Sequence, residues 1–386
     1  MNLSKRAKAV SESPTLAITS RVKQLKKQGS DIVNFAAGEP DFDTPQQIKQ
    51  AAIKAINDGF TKYTPTAGTL ELRQAVSDKF KKDNSLNYLS EQIVVSCGAK
   101  HSLYNVIQAI ADAGDEIIIQ APYWVSYPEM VRLAEAEPVI LETKASENFK
   151  IDPKKLGKII TKKTKALILN SPSNPTGVVY TAEELEEIAK ICVSKKIFVI
   201  SDEIYEKLIY DDQRHISIAA LGKDIFDLTI TVNGVSKAFS MTGWRIGYIG
   251  ASREIAGAIK KIQSHSTSNP TSISQAAALA ALNMSENEIV RMRDEFQKRR
   301  DYMIQRLDKI NKLSYIKPQG AFYIFCDISA TNMNSDTFAQ KLLDDTKVAV
   351  IPGRGFGRDD FVRLSFATDL ESIKKGMDRI EKWVRQ

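Results

Sequence analysis

The residues best equipped for chemistry gather in Val232-Asn233-Gly234-Val235-Ser236-Lys237-Ala238-Phe239-Ser240-Met241-Thr242-Gly243-Trp244-Arg245-Ile246-Gly247. Lys237 follows an apolar run and sits among small, polar and aromatic residues. Desolvation there would lower its pKa, and a neutral amine can attack an aldehyde. Further along, Arg245 offers a planar, doubly donating group suited to phosphate. An ordinary exposed lysine and arginine would read the same way in this stretch alone. Asp202 closes another apolar run, Val199-Ile200-Ser201-Asp202-Glu203-Ile204-Tyr205. A carboxylate in that position needs a compensating partner, because burying an unpaired charge is costly. Tyr205 can reach the same region. In Asn170-Ser171-Pro172-Ser173-Asn174-Pro175-Thr176-Gly177, two prolines and a glycine fix the backbone and would present Asn174 rigidly, although a plain turn fits too. Cys97-Gly98-Ala99-Lys100 opens a helical stretch, where small residues let backbone N–H groups approach an anion. A tight turn alone would look the same.

These residues need elements to position them. Apolar runs at Ile93–Ser96, Glu116–Ile119, Val139–Leu141, Ala166–Leu169, Ile197–Ile200 and Leu228–Val232 suit strands covered on both faces. Between them lie helical spacings: Leu72, Ala75, Val76, Lys79, Phe80, and then Leu185, Ile188, Ala189, Cys192. Thr181 with Glu184 makes a capping box for the second. Strands alternating with helices imply an α/β fold with a mostly parallel sheet, whose ligand lies beyond the carboxyl ends of the strands. After residue 285 the pattern changes. Ile289, Met292, Phe296, Met303, Leu307 and Ile310 mark one long amphipathic helix. Strand-like stretches at Ala321–Phe325, Val348–Ile351 and Val362–Phe366 and a terminal helix through Ile373, Met377 and Ile380 follow. Three parts are expected: an N-terminal segment (1–44), a large domain (45–285) and a smaller α+β domain (286–386) on which that segment packs.

The chain resembles a class I aminotransferase of the bacterial branch of the aspartate aminotransferase group. The resemblance runs nearly the whole length. It rests on Ala37-Gly38-Glu39-Pro40, Tyr63-Thr64-Pro65, Pro122-Tyr123-Trp124, Ser171–Gly177, Ser201–Tyr205, Ser236–Gly247 and Val362-Arg363-Leu364-Ser365, in this order and spacing. It implies a fold type I enzyme dependent on pyridoxal 5'-phosphate (PLP), with Lys237 holding the cofactor as a Schiff base. It implies further that Asp202 pairs with the pyridinium nitrogen, so that the ring acts as an electron sink. Asn174 and Tyr205 would bond the phenolate oxygen, and Trp124 would stack on the ring. Gly98, Ala99, Lys100, Ser236 and Arg245 would surround the phosphate, joined by Tyr63 of the neighbouring subunit in a homodimer. Arg363 would clamp the substrate α-carboxylate with Gly38 closing nearby, although a structural ion pair is the other reading of Arg363. Lys100, Trp124 and Asn174 would also face substrate.

The implied reaction moves the amino group of aspartate to 2-oxoglutarate. Two positions depart from the pattern. Gly234 stands where many relatives carry a serine, so Ser236 is expected to take over a phosphate contact. Glu12 stands where relatives that accept prephenate tend to carry a basic residue. Prephenate, aromatic amino acids or alanine remain alternative substrates, and a PLP-dependent carbon–sulfur lyase is an alternative activity.

Composition narrows the rest. The net charge of 54 − 47 = +7 is spread among acidic residues, so no nucleic-acid patch is expected. Lys26-Lys27, Lys81-Lys82 and Arg299-Arg300 read as solvated helix faces. Cys97, Cys192 and Cys326 are few, odd in number and far apart, which argues against a disulfide framework. With no HExxH and no Cys/His cluster, no metal is expected. There is no apolar run long enough to span a membrane and no signal-peptide core, so a cytoplasmic location is expected.

Overall fold

The computed structural model describes residues 2–12 and 14–386. Its strands are β1 (Val33–Asn34), β2 (Ile93–Ser96), β3 (Glu116–Ala121), β4 (Glu137–Glu142), β5 (Thr164–Asn170), β6 (Phe198–Asp202), β7 (Thr229–Gly234), β8 (Gly247–Gly250), β9 (Ser314–Tyr315), β10 (Tyr323–Asp327), β11 (Val348–Ala349), β12 (Ile351–Pro352) and β13 (Phe361–Ser365). Seven form one sheet in the order β2-β8-β7-β6-β5-β3-β4. Both faces are covered, and the side-chain alternation shows it. Ile117, Ile119, Ile168 and Ile200 pack with Leu103, Val106, Met130 and Ile259 on one face. Ile118, Leu167, Leu169 and Val199 pack with Leu185, Ile188, Ala189 and Cys192 on the other. Each such aliphatic side chain contributes about 1.5–3 kcal/mol by leaving water.

The helix Leu70–Asn84 buries Leu72, Ala75, Val76 and Phe80, matching the spacing read from the sequence. Lys79 shares that face because it pairs with Glu206. The capping box of Ala182–Lys195 is formed: Thr181 N–H donates to Glu184 Oε2 at 2.8 Å, and Glu184 N–H to Thr181 Oγ1 at 3.4 Å.

Two features of this sheet decide where the site lies. Asn170 is in register with Asp202, and Asp202 with Val232, so the carboxyl ends of β5, β6 and β7 stand side by side. β8 was not expected, and it is antiparallel, inserted between β2 and β7. Its first residue, Gly247, faces both Ser96 and Gly234. This insertion delivers Arg245 to the end of β2. A Cβ on Gly247 would collide with the backbone of Gly98 and Ala99, so only glycine permits the approach.

A second, antiparallel sheet runs β12-β13-β10-β9. It packs with the helices Asn287–Leu307, Ser335–Thr346 and Leu370–Val384 around Phe322, Ile324, Leu342, Leu364, Ile373 and Met377. The N-terminal segment joins it: β1 pairs in parallel with β11, and Val22 and Ile32 pack beside Leu343 and Ile351.

Three sequence readings need correction. The long helix stops at Leu307, and Ile310 is buried in the turn beyond it. The stretch Val348–Ile351 is two short strands in different sheets, not one. Arg299 and Arg300 are not a solvated face. Arg299 bonds Asp41 at 2.7 Å, and Arg300, fully buried, bonds Asp211 through both Nη atoms at 2.9 and 3.1 Å. A buried guanidinium is tolerated only with such partners.

Candidate active site

The loops at the carboxyl ends of β2, β5, β6 and β7 converge with β13 on one cleft. Lys237 lies three residues past β7, half-buried, with Nζ donating to the Gly38 carbonyl at 2.6 Å. The rings of Tyr205 and Phe322 each lie 5.7 Å from Nζ. Burial pushes its pKa down to about 8, with Arg363 and Arg245 adding to the fall. An appreciable share of the amine is therefore unprotonated near neutrality and nucleophilic.

Asp202, the last residue of β6, is 3% exposed. Its Oδ2 accepts from the Tyr127 hydroxyl at 2.6 Å and its Oδ1 from the Ile204 N–H at 3.3 Å. Burial pushes this carboxyl up to about 6. It is ionised above that pH and, among the described residues, forms no salt bridge.

Asn174 is fixed by its own N–H, which donates to Asn170 Oδ1 at 2.8 Å. Its Oδ1 accepts from Arg363 Nη1 at 3.0 Å. Arg363, on β13, is 3% exposed and has no carboxylate partner among the described residues, so the structural ion pair is not formed. Nη2 donates to the Ala36 carbonyl at 3.2 Å, while Nε is buried without a partner. The guanidinium lies 4.2 Å from the Tyr323 ring and 5.1 Å from that of Phe356. A buried cation with an unused donor is prepared for an anion, and a carboxylate fits its fork.

At the end of β2, Gly98 takes φ +91° as the N-cap of Ala99–Ile110. A Cβ there would strike the Arg245 guanidinium, so the glycine leaves a cradle between helix N-terminus and arginine. Arg245 is held by Nη1 to the Thr242 carbonyl at 2.9 Å and Nη2 to that of Cys97 at 3.4 Å. Positive helix end and guanidinium together favour an anion such as phosphate. Lys100 Nζ lies 4.8 Å from the Trp124 ring, and burial, with Arg245, lowers its pKa.

Lys237, Asp202, Tyr205, Asn174, Arg363, Gly38, Gly98, Ala99 and Arg245 thus come together, with Trp124 and Lys100 at the edge. Ser236 is buried in the loop before Lys237. Tyr63 does not join them: it stands 89% exposed. At Gly234 a Cβ would lie 3.0 Å from Gly247 Cα and 3.0 Å from the Ile246 carbonyl oxygen, so the inserted strand leaves a serine little room. The sequence reading missed Tyr127 and Tyr323. Tyr323 meets Tyr205 hydroxyl to hydroxyl at 2.9 Å. Both looked like ordinary core aromatics, and only their place near Trp124 and inside a strand beside Phe322 hinted otherwise.

Comparison with known proteins agrees with this geometry. A family model described as aminotransferase class I and II matches residues 30–380. The chain is 48% identical to an aspartate aminotransferase of Bacillus sp. (strain YM-2), covering 99% of each chain. It is 48% identical to a probable aspartate/prephenate aminotransferase of Rickettsia conorii, covering 99% of this chain and 98% of the other. The solved structure of Thermus thermophilus aspartate aminotransferase with maleate superposes with a TM-score of 0.96 at 42% identity, covering 99% of both chains. The match over residues 30–380 and the full-length likeness to these relatives place the chain in the class I and II aminotransferase family.

Proposed function

We propose that this protein is a PLP-dependent aspartate aminotransferase, passing the amino group of aspartate to 2-oxoglutarate and forming oxaloacetate and glutamate. The observation that carries this reading is the meeting, at adjacent strand ends, of a half-buried amine at Lys237 and a buried carboxylate at Asp202. The cleft fits the cofactor on three counts: the Gly98 cradle suits its phosphate, Asp202 a cationic ring nitrogen, and Lys237 Nζ an aldehyde carbon. When bound, PLP supplies an electron-withdrawing ring that makes the substrate Cα proton removable.

The chain's own residues do the rest. Lys237 Nζ would hold the cofactor covalently and, as a free amine, would take the substrate's Cα proton. An amine near pKa 8 suits that exchange, and a positioned base contributes about 10²–10⁴-fold. Asp202 would keep the ring nitrogen protonated. Asn174 and Tyr205 would hold the ring's phenolate oxygen, with Trp124 beside the ring. Gly98, Ala99, Ser236 and Arg245 would bind the phosphate. Arg363, steered by Asn174 and Ala36, grips the α-carboxylate through its unused donors, with Gly38 beside it. Lys100, held over Trp124 at the edge of the cleft, receives the distal carboxylate.

A homodimer accompanies this reading. Ile53, Ile56, Phe60 and Leu70, between 37% and 56% exposed, flank the 89% exposed Tyr63 along the sequence, and this apolar surface suits a second copy that would bring Tyr63 to its neighbour's phosphate. The division into 1–44, 45–285 and 286–386 is supported by the separate sheets and cores. Three free cysteines accord with a reducing cytoplasm, and no helix among the described residues is long and apolar enough to cross a membrane.

A second reading, prephenate as amino acceptor, is favoured by the name of the Rickettsia relative and opposed by Glu12. A steady-state panel of aspartate, alanine, aromatic amino acids and prephenate with matched acceptors tests both. The proposal expects the highest kcat/KM with aspartate and 2-oxoglutarate, and a selective loss for dicarboxylates in Lys100→Ala. Equal use of alanine, or release of pyruvate and ammonia from cysteine conjugates without an acceptor, would overturn it.

A further inference from the structure

Tyr127 lies in the helix Ser126–Leu133, close behind Trp124, and is 2% exposed. Its hydroxyl donates the only side-chain hydrogen bond that the Asp202 carboxylate receives among the described residues, 2.6 Å long. Its ring meets Trp124 edge to face, with centroids 5.4 Å apart and planes at 85°. One side chain therefore touches both the carboxylate and the aromatic wall of the cleft. The carboxylate is otherwise poorly served. Its Oδ1 takes a single long bond from the Ile204 N–H. The ionisable groups facing it are Tyr127 from the helix, Glu203 and Tyr205 from its own loop, and Lys237 from the loop after β7. Glu203 disfavours its charge, Lys237 favours it, and the Tyr127 hydrogen bond opposes burial more than either. Tyr127 stays a donor throughout, because burial and the Asp202 charge push its own pKa well above the usual phenol value.

We propose that Tyr127 is a positioning residue whose hydroxyl holds the Asp202 carboxylate ionised and in a single orientation for a cationic ring nitrogen, while its ring seats Trp124. This deepens the cofactor reading given above and rests on it. Nothing is transferred: the phenol keeps its proton and acts through Asp202. Binding a cation at Asp202 requires the ionised form, so affinity for the cofactor weakens as pH falls through the carboxyl's own pKa. Removing the donor moves that fall to higher pH, whereas removing mere packing would weaken binding equally at every pH.

The test is equilibrium titration of apo-protein with PLP, followed by visible absorbance between pH 5.5 and 9. For wild type, affinity should decline near pH 6. In Tyr127→Phe, which keeps the ring, the decline should begin about one pH unit higher, giving about fivefold weaker binding at pH 6, a larger gap below it and convergence toward pH 9. In an Asp202→Asn background, the same substitution should leave the pH profile unmoved. A Tyr127→Phe profile parallel to wild type, or a shift that persists beside Asp202→Asn, overturns the proposal. Wild-type protein that takes up no PLP overturns the cofactor reading itself and is distinguishable from either result.

Discussion

Replacing Arg363 by lysine keeps the charge and removes the fork. A guanidinium has five N–H donors. In this structure one on Nη1 serves Asn174 and one on Nη2 serves Ala36, which leaves three, including the unpartnered Nε, for a carboxylate. An ammonium has three donors in all. If two replace the bonds to Asn174 and Ala36, one is left for substrate where the arginine offers two in parallel. The loss is thus one charge-assisted hydrogen bond, about 1.5–3 kcal/mol, or about 10–150-fold in kcat/KM. An amino acid and a 2-oxo acid carry the same α-carboxylate, so single-turnover rates of the two half-reactions should fall by a similar factor. The thermal midpoint should barely move, since the charge and the internal bonds remain. A loss below about threefold, or one confined to a single half-reaction, would refute this assignment of donors.

Further outcomes follow from the same geometry. Gly98→Ala places a methyl against Arg245 at φ +91° and ψ 158°, a region that only glycine normally adopts and that costs an L-residue about 1–3 kcal/mol. PLP should bind at least about tenfold more weakly while pyridoxal, lacking the phosphate, is unaffected, and equal losses for both would remove the cradle from the account. Asp202 has a folded pKa of about 6 against 3.8 for the free group, so the folded state binds the proton more tightly. Its contribution to apo-protein stability therefore falls as pH rises from about 4 to 6 and stays low above, a cost of about 3 kcal/mol. Asp202→Asn should raise the apo midpoint by a few degrees at pH 7.5 and not at pH 4, whereas a difference independent of pH would contradict the burial argument.

The strand-end residues were legible as candidates only, since Lys237, Arg245 and the Gly98 turn each fit an ordinary surface or turn, and the family resemblance over the whole chain supplied their roles. A lysine, an aspartate and a glycine directly after apolar runs each raise a question that a ligand answers. Strand β8 was not legible, since Gly247–Gly250 is short, is half glycine and is continuous with the lysine loop. The same insertion crowds Gly234, where a Cβ would lie 3.0 Å from Gly247 Cα. Arg299 and Arg300 were misread because their partners, Asp41 and Asp211, lie 258 and 89 residues away. Val348–Ile351 reads as one apolar run, and nothing local shows the chain leaving one sheet for another between Ala349 and Ile351. Tyr127 and Tyr323 carry apolar rings in regular elements, so periodicity assigns them to the core. Only the hydroxyl contacts to Asp202 and Tyr205 reveal a second role.

On the proposed reading one amine, at Lys237, carries the cofactor. Freshly purified protein reduced with borohydride and digested should yield a single pyridoxyl-modified peptide whose fragmentation places the added mass on Lys237, with Lys237→Ala yielding none. Modification of another lysine, or a pyridoxyl adduct persisting in Lys237→Ala, would contradict the account.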